Sequence, residues 1–158
     1  MLENIIFENL NLHPEFNTEL RERYWNEWSE SLKKEFNISD FSEYHLDKDI
    51  VYFVGVKYED DSNDMNNVKK IKKLVSSIAI TPNDLGEMTD LTPWLSYVYV
   101  VPEYRNKGVA DKMIKWYLEN VEIRPLYLWC KHPLETFYNR FGFEIIESRT
   151  DIAIMEYK

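Results

Sequence analysis

The joint between a strand and a helix at residues 97–118 is the feature that most restricts the fold of this chain. Its sequence, YVYVVPEYRNKGVADKMIKWYL, begins with aromatic and β-branched residues that are typical of a strand. Pro102 ends this strand, because proline has no N–H group to donate to a β-ladder. From Gly108 onward the apolar residues recur at helical spacing. The sequence therefore predicts a strand that leads through a short basic turn into a helix.

The turn at residues 105–110 is suited to bind an anion. Backbone N–H groups in the first turn of a helix lack partners within the helix and carry the positive end of its dipole. Phosphate groups bind such turns, and Gly108 and the small Ala110 leave the backbone open to their approach. Arg105 and Lys107 add positive charge. The same pattern also fits an ordinary structural joint, because many such joints contain a glycine and a basic residue.

The remaining segments predict an α/β protein with one mixed sheet and helices on its faces. The predicted order is β-α-α-β-β-β-α-β-α-β-β in a single domain that covers residues 1–158. An acidic, polar segment at 59–67 predicts a hairpin loop. The predicted strands are 3–10, 50–58, 68–81, 94–101, 125–130, 143–148 and 151–156, and the predicted helices are 14–34, 37–46, 108–120 and 134–141.

Composition and charge disfavour several classes of protein. The net charge of −9 argues against a nucleic-acid partner, because a protein binds phosphate through clustered Lys and Arg. An acidic chain can instead attract a cationic amine, or the charge can serve only solubility. No apolar run is long enough for a membrane span. Cys130 is the only cysteine, which favours a reducing cytoplasm. His13, His45 and His132 lack the spacing of metal ligands, so no metal is expected.

Two motifs carry a resemblance to a known family. The run Arg105-x-x-Gly108-x-Ala110, which follows a strand ending in Val-x-Pro, resembles the acyl-CoA loop of the GNAT superfamily of N-acetyltransferases. Downstream, the strand LYL at 126–128 and the segment FYNRFGF at 137–143 resemble the next strand of that family and the helix that follows it. The motifs stand in the right order, and the predicted elements are similar to this family over nearly the whole chain.

The resemblance implies a cosubstrate, acetyl-CoA, and a place for it. The fourth strand would splay from the fifth, with the pantetheine arm in the gap and the pyrophosphate on the turn. Asn139 is a further candidate contact, whereas Lys131 stands where many relatives have an asparagine that contacts the arm. The cofactor-binding residues expected in this way are Val98, Tyr99, Val100, Arg105, Asn106, Lys107, Gly108, Val109, Ala110 and Asn139.

Catalytic roles follow from the same resemblance. Tyr138 matches the family's general acid, which protonates the departing thiolate; the alternative is a tyrosine that only packs in the core. An alternative mechanism passes through an acyl group on Cys130, but a lone cysteine in a strand more often packs in the core. His132 is a second candidate base or an exposed loop residue. No paired His and Asp accompany Cys130 in the sequence.

The acceptor side of the reaction is less defined. The connector at 82–93 supplies Asp84, Glu87 and Asp90, which could bind or deprotonate a cationic acceptor or form a solvated loop, and Glu87 is the first choice for the base. Tyr24, Trp25 and Trp28 of the first predicted helix belong to the region that forms the acceptor wall in relatives, and most of this aromatic set is expected to pack in the core.

The predicted function is transfer of an acetyl group from acetyl-CoA to a primary amine by direct attack in a ternary complex. The acceptor could be a small molecule, an amino sugar, or a protein or peptide amine, and a monomer or a homodimer is expected. The alternative function is a non-catalytic module that binds acyl-CoA and mediates interactions.

Overall fold

Seven strands form one mixed sheet in the computed structural model, which describes residues 2–60 and 70–158. The order of strands across the sheet is β1-β2-β3-β4-β5-β7-β6. This architecture confirms the predicted fold class. The strands are β1 (Ile5–Asn9), β2 (Val51–Asp60), β3 (Lys70–Thr81), β4 (Trp94–Val100), β5 (Leu126–Lys131), β6 (Glu144–Ser148) and β7 (Ile152–Tyr157), and the α-helices are α1 (Asn17–Phe36), α2 (Val109–Asn120) and α3 (Glu135–Asn139).

The sheet consists of two antiparallel parts that meet at a parallel junction. Strands β1 to β4 pair antiparallel in sequence order, and β5, β7 and β6 form the second antiparallel part. Between them, β4 and β5 pair at Trp94 and Tyr127 and at no other residues among those described. Beyond this pair the strands diverge, which confirms the predicted splay of the central strands.

Each face of the sheet is covered by helices whose apolar spacing matches their packing. On one face, Leu20 and Tyr24 of α1 lie four residues apart and are fully buried. On the other face, Met113, Ile114 and Tyr117 of α2 are buried against the strands. None of the helices within residues 2–60 and 70–158 combines the length and the apolar character needed to cross a bilayer.

The predicted helix at 37–46 is wrong, because this segment contains only a 3₁₀ turn, Phe41–Glu43. α1 instead continues to Phe36 and ends at Asn37, which has a left-handed conformation with φ 52°. The side chain of Asp40 caps the 3₁₀ turn and Glu43 completes a capping box. Arg21 of α1 donates to the backbone carbonyls of Phe41 and Tyr44. These hydrogen bonds use the backbone carbonyls of Phe41 and Tyr44, which are among the groups that would accept hydrogen bonds within a helix.

The predicted hairpin loop at 59–67 falls mostly outside the described residues. Its first two residues, Glu59 and Asp60, belong to β2. The Glu59 carboxylate forms ion pairs with Lys57 of β2 at 2.8 Å and with Lys73 of β3 at 2.7 Å. These pairs lower the pKa of Glu59 to about 2.

Candidate active site

A cleft of about 400 Å³ opens where β4 leaves β5. One wall is the outer half of β4 and the turn that follows it, and the opposite wall is the start of α3. A bend of α1 closes one side. The residues that line the cleft are Glu27, Trp28, Val98, Tyr99, Val100, Tyr104, Arg105, Asn106, Gly108, Val109, Ala110, Asp111, Leu134, Phe137 and Tyr138.

The turn at the head of α2 leaves the first helical N–H groups uncapped. Gly108 precedes the helix with φ 81°, and Asn106 also has a positive φ, 60°. No side chain caps the helix at its N-terminus. A Cβ atom at Gly108 would meet only the Leu2 side chain, at an ordinary contact distance of 3.9 Å. Glycine is therefore favoured by the left-handed backbone conformation and not by lack of space.

Arg105 braces the end of β4 at the edge of the cleft. Its Nε donates to the Val100 carbonyl at 2.8 Å, and its guanidinium lies 5.4 Å from the centre of the Tyr99 ring. Its Nη2 pairs with Glu27 of α1 at 3.1 Å. An anion in the cleft would therefore share this guanidinium with Glu27.

Most residues expected to bind the cofactor do line the cleft, and two do not. Lys107 donates its Nζ to the Glu103 carbonyl at 2.8 Å instead. Asn139 is exposed on α3 and lies outside the lining. The expected residues that the fold brings together at the cleft are Val98, Tyr99, Val100, Arg105, Asn106, Gly108, Val109 and Ala110.

Tyr138 lies on the α3 wall of the cleft, and its side chain is 7% exposed. Its ring packs edge-to-face on Phe137 and Phe143, with centroid distances of 5.0 and 6.0 Å. Burial raises the pKa of the Tyr138 hydroxyl well above its ordinary value, and the nearby Cys130 adds to this effect. The hydroxyl therefore stays protonated and can donate into the cleft.

Cys130 and His132, the other reactive side chains of this region, are engaged in structural contacts. Cys130 is 3% exposed, its Sγ lies 3.8 Å from the sulfur of Met155, and burial raises the pKa of its thiol to about 11. A buried thiol with a raised pKa is a poor nucleophile. His132 bonds Glu135 at 2.5 Å and the Arg149 carbonyl at 2.8 Å, so both of its ring nitrogens have partners.

A bulge in β4 shapes the inner end of the cleft. Ser77 and Ala79 of β3 lie opposite Tyr99 and Ser96, so β4 carries one extra residue between them. Tyr97 lies at this bulge with φ 49°. The bulge places both Tyr97 and Tyr99 on the face covered by α1.

An aromatic cluster fills that face beside the cleft. The Tyr97 ring stacks on Tyr24 at 5.1 Å, and Trp28 packs edge-on against both Tyr97 and Tyr99 at 5.8 Å. Trp28 has non-helical angles, φ −129° and ψ 23°, so α1 is kinked where it passes the cleft. The kink presents the indole ring to the cleft, whereas the Tyr24 ring is fully buried.

The three acidic residues of the connector between β3 and β4 differ in their surroundings. Glu87 forms an ion pair with Arg149 at 2.5 Å, which lowers its pKa. Asp84 is half-buried, and burial, followed by the charge of Glu35, raises the pKa of its carboxyl to about 7. Asp90 is exposed. Glu87 stays a prediction for the base, although an ionised carboxylate held by an arginine is a weak proton acceptor.

Sequence reasoning missed several residues of the cleft. Glu27, Tyr104, Asp111 and Leu134 line it but belong to no recognised motif. Tyr104 and Asp111 flank the turn, so their proximity follows from the local chain. Glu27 comes from a helix that is distant in sequence, and no local pattern around it indicates that it would reach the cleft.

The comparison with protein families identifies the class. The model of the acetyltransferase (GNAT) domain matches residues 45–145, which is more than half of the chain. The chain belongs to the GNAT acetyltransferase family, as the two motifs indicated. Membership in this family supports an acyltransferase. A search of the curated proteins gives no match.

Solved structures share this fold over nearly the full chain. ElaA from Escherichia coli is 20% identical, with 98% of this chain and 99% of that chain covered and a TM-score of 0.55. Arabidopsis thaliana NAA60, solved in complex with acetyl-CoA, is 17% identical, with 97% of each chain covered and a TM-score of 0.55. The spermidine/spermine N-acetyltransferase SpeG from Vibrio cholerae is 11% identical, with 98% and 93% covered and a TM-score of 0.56. At these identities the likeness establishes the fold.

Proposed function

We propose that this protein transfers an acetyl group from acetyl-CoA to a primary amine by direct attack in a ternary complex. One observation carries the proposal: a single cleft connects the uncapped turn before α2 with the bulged strand β4 and with Tyr138. The cleft thus joins a site for an anion, a strand edge with free backbone groups and a hydrogen-bond donor.

The fit of acetyl-CoA rests on the two ends of the cleft. Its diphosphate matches the uncapped N–H groups at Gly108, Val109 and Ala110, where the positive end of the α2 dipole lies. Its pantetheine arm matches the edge of β4 at residues 98–100, because this edge has no strand partner beyond Trp94 among the described residues. Arg105 supplies positive charge beside the turn, where its guanidinium would contact both the diphosphate and Glu27.

Transfer of the acetyl group requires stabilisation of an oxyanion. An amine that attacks the thioester carbon places negative charge on the carbonyl oxygen, and the amine–carbon bond forms before the carbon–sulfur bond breaks. A backbone N–H of β4 near Val98 is preorganised to donate to that oxygen, and such a donor contributes roughly 3 kcal/mol to the transition state.

Tyr138 is the proposed donor to the departing sulfur. Its raised pKa makes complete proton transfer to a thiolate of ordinary pKa, about 8.5, unfavourable. The main effect of the hydroxyl is therefore a hydrogen bond that stabilises the developing thiolate, with the proton following from solvent. This hydrogen bond requires the Tyr138 hydroxyl to be protonated, which its buried position ensures.

Two similar proteins support the choice of substrates. The structure of NAA60 contains acetyl-CoA, and SpeG is a spermidine/spermine N-acetyltransferase. The acceptor of this chain, as proposed here, is a small amine, an amino sugar, or a protein or peptide amine. The rival proposal is a module that binds acyl-CoA without turnover.

Release of free thiol separates the two proposals. Acetyl-CoA is incubated with the protein and with a panel of amines comprising spermidine, glucosamine and a peptide with a free α-amine and a lysine. Calorimetry measures the affinity for CoA in parallel. An enzyme releases thiol with at least one amine, whereas binding of CoA without release on any amine favours the module. Failure to bind CoA overturns both.

A further inference from the structure

The indole ring of Trp28 closes the inner end of the cleft on the side of α1. The residues of β4 that line the cleft are Val98, Tyr99 and Val100. Tyr97, the next residue toward the start of the strand, is not part of the lining in the described structure. Trp28 lines the cleft and packs on both Tyr97 and Tyr99, with centroid distances of 5.8 Å. Its ring therefore spans the strand at Val98, where the lining of β4 ends.

Aromatic contacts from two elements hold the Trp28 ring in place. Besides the two tyrosines of β4, Trp28 packs on Tyr24 of α1 at a centroid distance of 5.3 Å. Tyr24 is fully buried, and its hydroxyl shares a hydrogen bond of 2.5 Å with the Ser77 hydroxyl of β3. The ring is thus connected to β4 directly and to β3 through Tyr24. It cannot move aside without the loss of these contacts, because side chains in such a cluster are closely packed.

The backbone of α1 changes its geometry at the residue that forms this wall. Trp28 has non-helical angles, whereas the helix continues on both sides of it. α1 contains neither proline nor glycine, so no helix-breaking residue causes the kink. The ring contacts of Trp28 account for it instead. The kink and these contacts together fix the indole ring at the inner end of the cleft.

The acyl group of the cosubstrate would meet this ring. In the proposed function, the diphosphate lies at the turn before α2, and the pantetheine arm follows β4 from residue 100 to residue 98. The thioester carbonyl then faces the backbone near Val98. The acyl carbons extend beyond the thioester and are the last part of the cosubstrate to enter the cleft. They arrive where Trp28 packs on the residues on both sides of Val98.

We propose that Trp28 sets the length of the acyl chain that the site accepts and restricts the cosubstrate to short acyl groups such as acetyl. The inference rests on the proposed N-acetyltransferase function and names the acyl class of its cosubstrate. The methyl group of an acetyl thioester ends before the ring, whereas each further methylene has to occupy space that the ring fills. Insertion of extra methylenes into a closely packed cluster is unfavourable, because the surrounding side chains must leave their preferred positions.

Calorimetric titration with acetyl-, propionyl-, butyryl- and hexanoyl-CoA is the direct test, because it requires no amine acceptor. The wild-type protein should bind acetyl-CoA about 10-fold more tightly than butyryl-CoA, as expected for the usual cost of overpacking. In Trp28→Leu this preference should be lost or reversed. Each methylene that becomes buried in the vacated space should increase the affinity about fourfold.

Trp25→Leu is the matched control. Trp25 lies on the same helix, is half-buried like Trp28, and packs on the aromatic rings of Phe41 and Tyr44. It is not among the residues that line the cleft. The control variant should therefore lose comparable packing and keep the wild-type order of acyl-CoA affinities. Thermal unfolding of both variants shows whether their losses of stability are similar.

Two results would overturn the role of Trp28 and leave the proposed function intact. If the wild-type protein binds butyryl-CoA as tightly as acetyl-CoA, the ring does not limit the chain. If a folded Trp28→Leu variant keeps the wild-type order of affinities, the limit lies elsewhere; a changed KM for the amine in that variant would then assign the ring to the acceptor wall. Failure of the wild-type protein to bind any acyl-CoA contradicts the proposed function itself.

A second variant, Trp28→Phe, covers the case in which the leucine variant does not fold. Phenylalanine keeps an aromatic ring beside Tyr97 and Tyr99 and is smaller than the indole. It should bind propionyl-CoA about as tightly as acetyl-CoA, while hexanoyl-CoA stays weak. If the order of affinities in this variant equals that of the wild-type protein, the proposal is overturned as well.

Discussion

The two ends of the cleft are built from different parts of the chain. The turn end consists of backbone groups from one continuous segment, residues 98–110, whose conformation depends on Gly108. The inner end, at the bulge of β4, depends on a side chain from an element that is distant in sequence: Trp28 of α1 lines the cleft there and packs on Tyr97 and Tyr99. One end is local in sequence, and the other exists only in the folded protein.

This difference explains why the two ends tolerate change differently. A site made of backbone N–H groups needs a particular conformation and is sensitive to any residue that disturbs it. A site made of side chains depends on the chemical group at each position and on the packing that holds it. Variants at the turn should therefore affect cofactor affinity, and variants at the inner end should affect the choice of acyl group.

The largest expected effect is at the turn. Gly108→Val should weaken acetyl-CoA binding by on the order of 100-fold or more, because a β-branched residue resists a left-handed φ and the backbone moves away from the diphosphate. Calorimetric titration with acetyl-CoA measures the loss. Gly86→Val is the matched control: Gly86 has a conformation open to other residues and no atom within 4 Å of an added Cβ.

A folded Gly108→Val variant with wild-type affinity would remove the turn from the cofactor site. Thermal unfolding must be recorded with the titration, so that lost affinity is assigned to the turn and not to unfolding.

The next effect concerns the donor between the two ends. Tyr138→Phe should lower kcat by about 10- to 100-fold with little change in acetyl-CoA affinity, because the lost hydrogen bond forms chiefly in the transition state and thiolate is a good leaving group. The matched control is Tyr117→Phe in the same core, whose hydroxyl is buried without a partner in the described structure. Full kcat in Tyr138→Phe would make Tyr138 a packing residue.

A moderate effect is expected where the connector at 82–93 meets β5. Trp129→Phe keeps an aromatic ring on β5 but removes the N–H that donates to the Asp84 backbone carbonyl. Loss of one neutral hydrogen bond corresponds to about 1 kcal/mol, so the free energy of unfolding measured with urea should fall by about that amount. Acetyl-CoA affinity should stay the same. A matching loss of acetyl-CoA affinity would show that this contact also supports the turn end.

The smallest effect returns to the turn end. Glu27→Gln frees Arg105 from its exposed ion pair, so the affinity for acetyl-CoA should rise about two- to fourfold at low salt, as expected for a surface pair. The gain should decline as salt screens the charges. Isothermal titration at two salt concentrations tests it, and a decrease in affinity would show that Glu27 holds Arg105 in its binding position.

The same contrast decides what could be predicted from the sequence. The strand, Pro102, Gly108 and α2 follow one another along the chain, so their local preferences were sufficient to predict the turn end. The short helix predicted at 37–46 failed because Arg21, from a distant part of α1, bonds the carbonyls that this helix would use. The wall at the inner end depends on the contacts of Trp28 with Tyr97 and Tyr99, which lie on a strand far from it in the chain. No local pattern encodes such an arrangement.

The divergence of β4 and β5 has a consequence for the dynamics of the sheet. Past Trp94 and Tyr127, the backbone amides of β4 that face the gap have no ladder partner among the described residues. Such amides exchange their hydrogens with solvent far faster than those inside a ladder. A ligand arm that bonds to this edge would close the gap as an additional strand does. Hydrogen exchange should then slow on β4 and on the facing edge of β5 together, although the two strands share only one residue pair. Cofactor occupancy would thus couple two halves of the sheet that the polypeptide leaves largely independent.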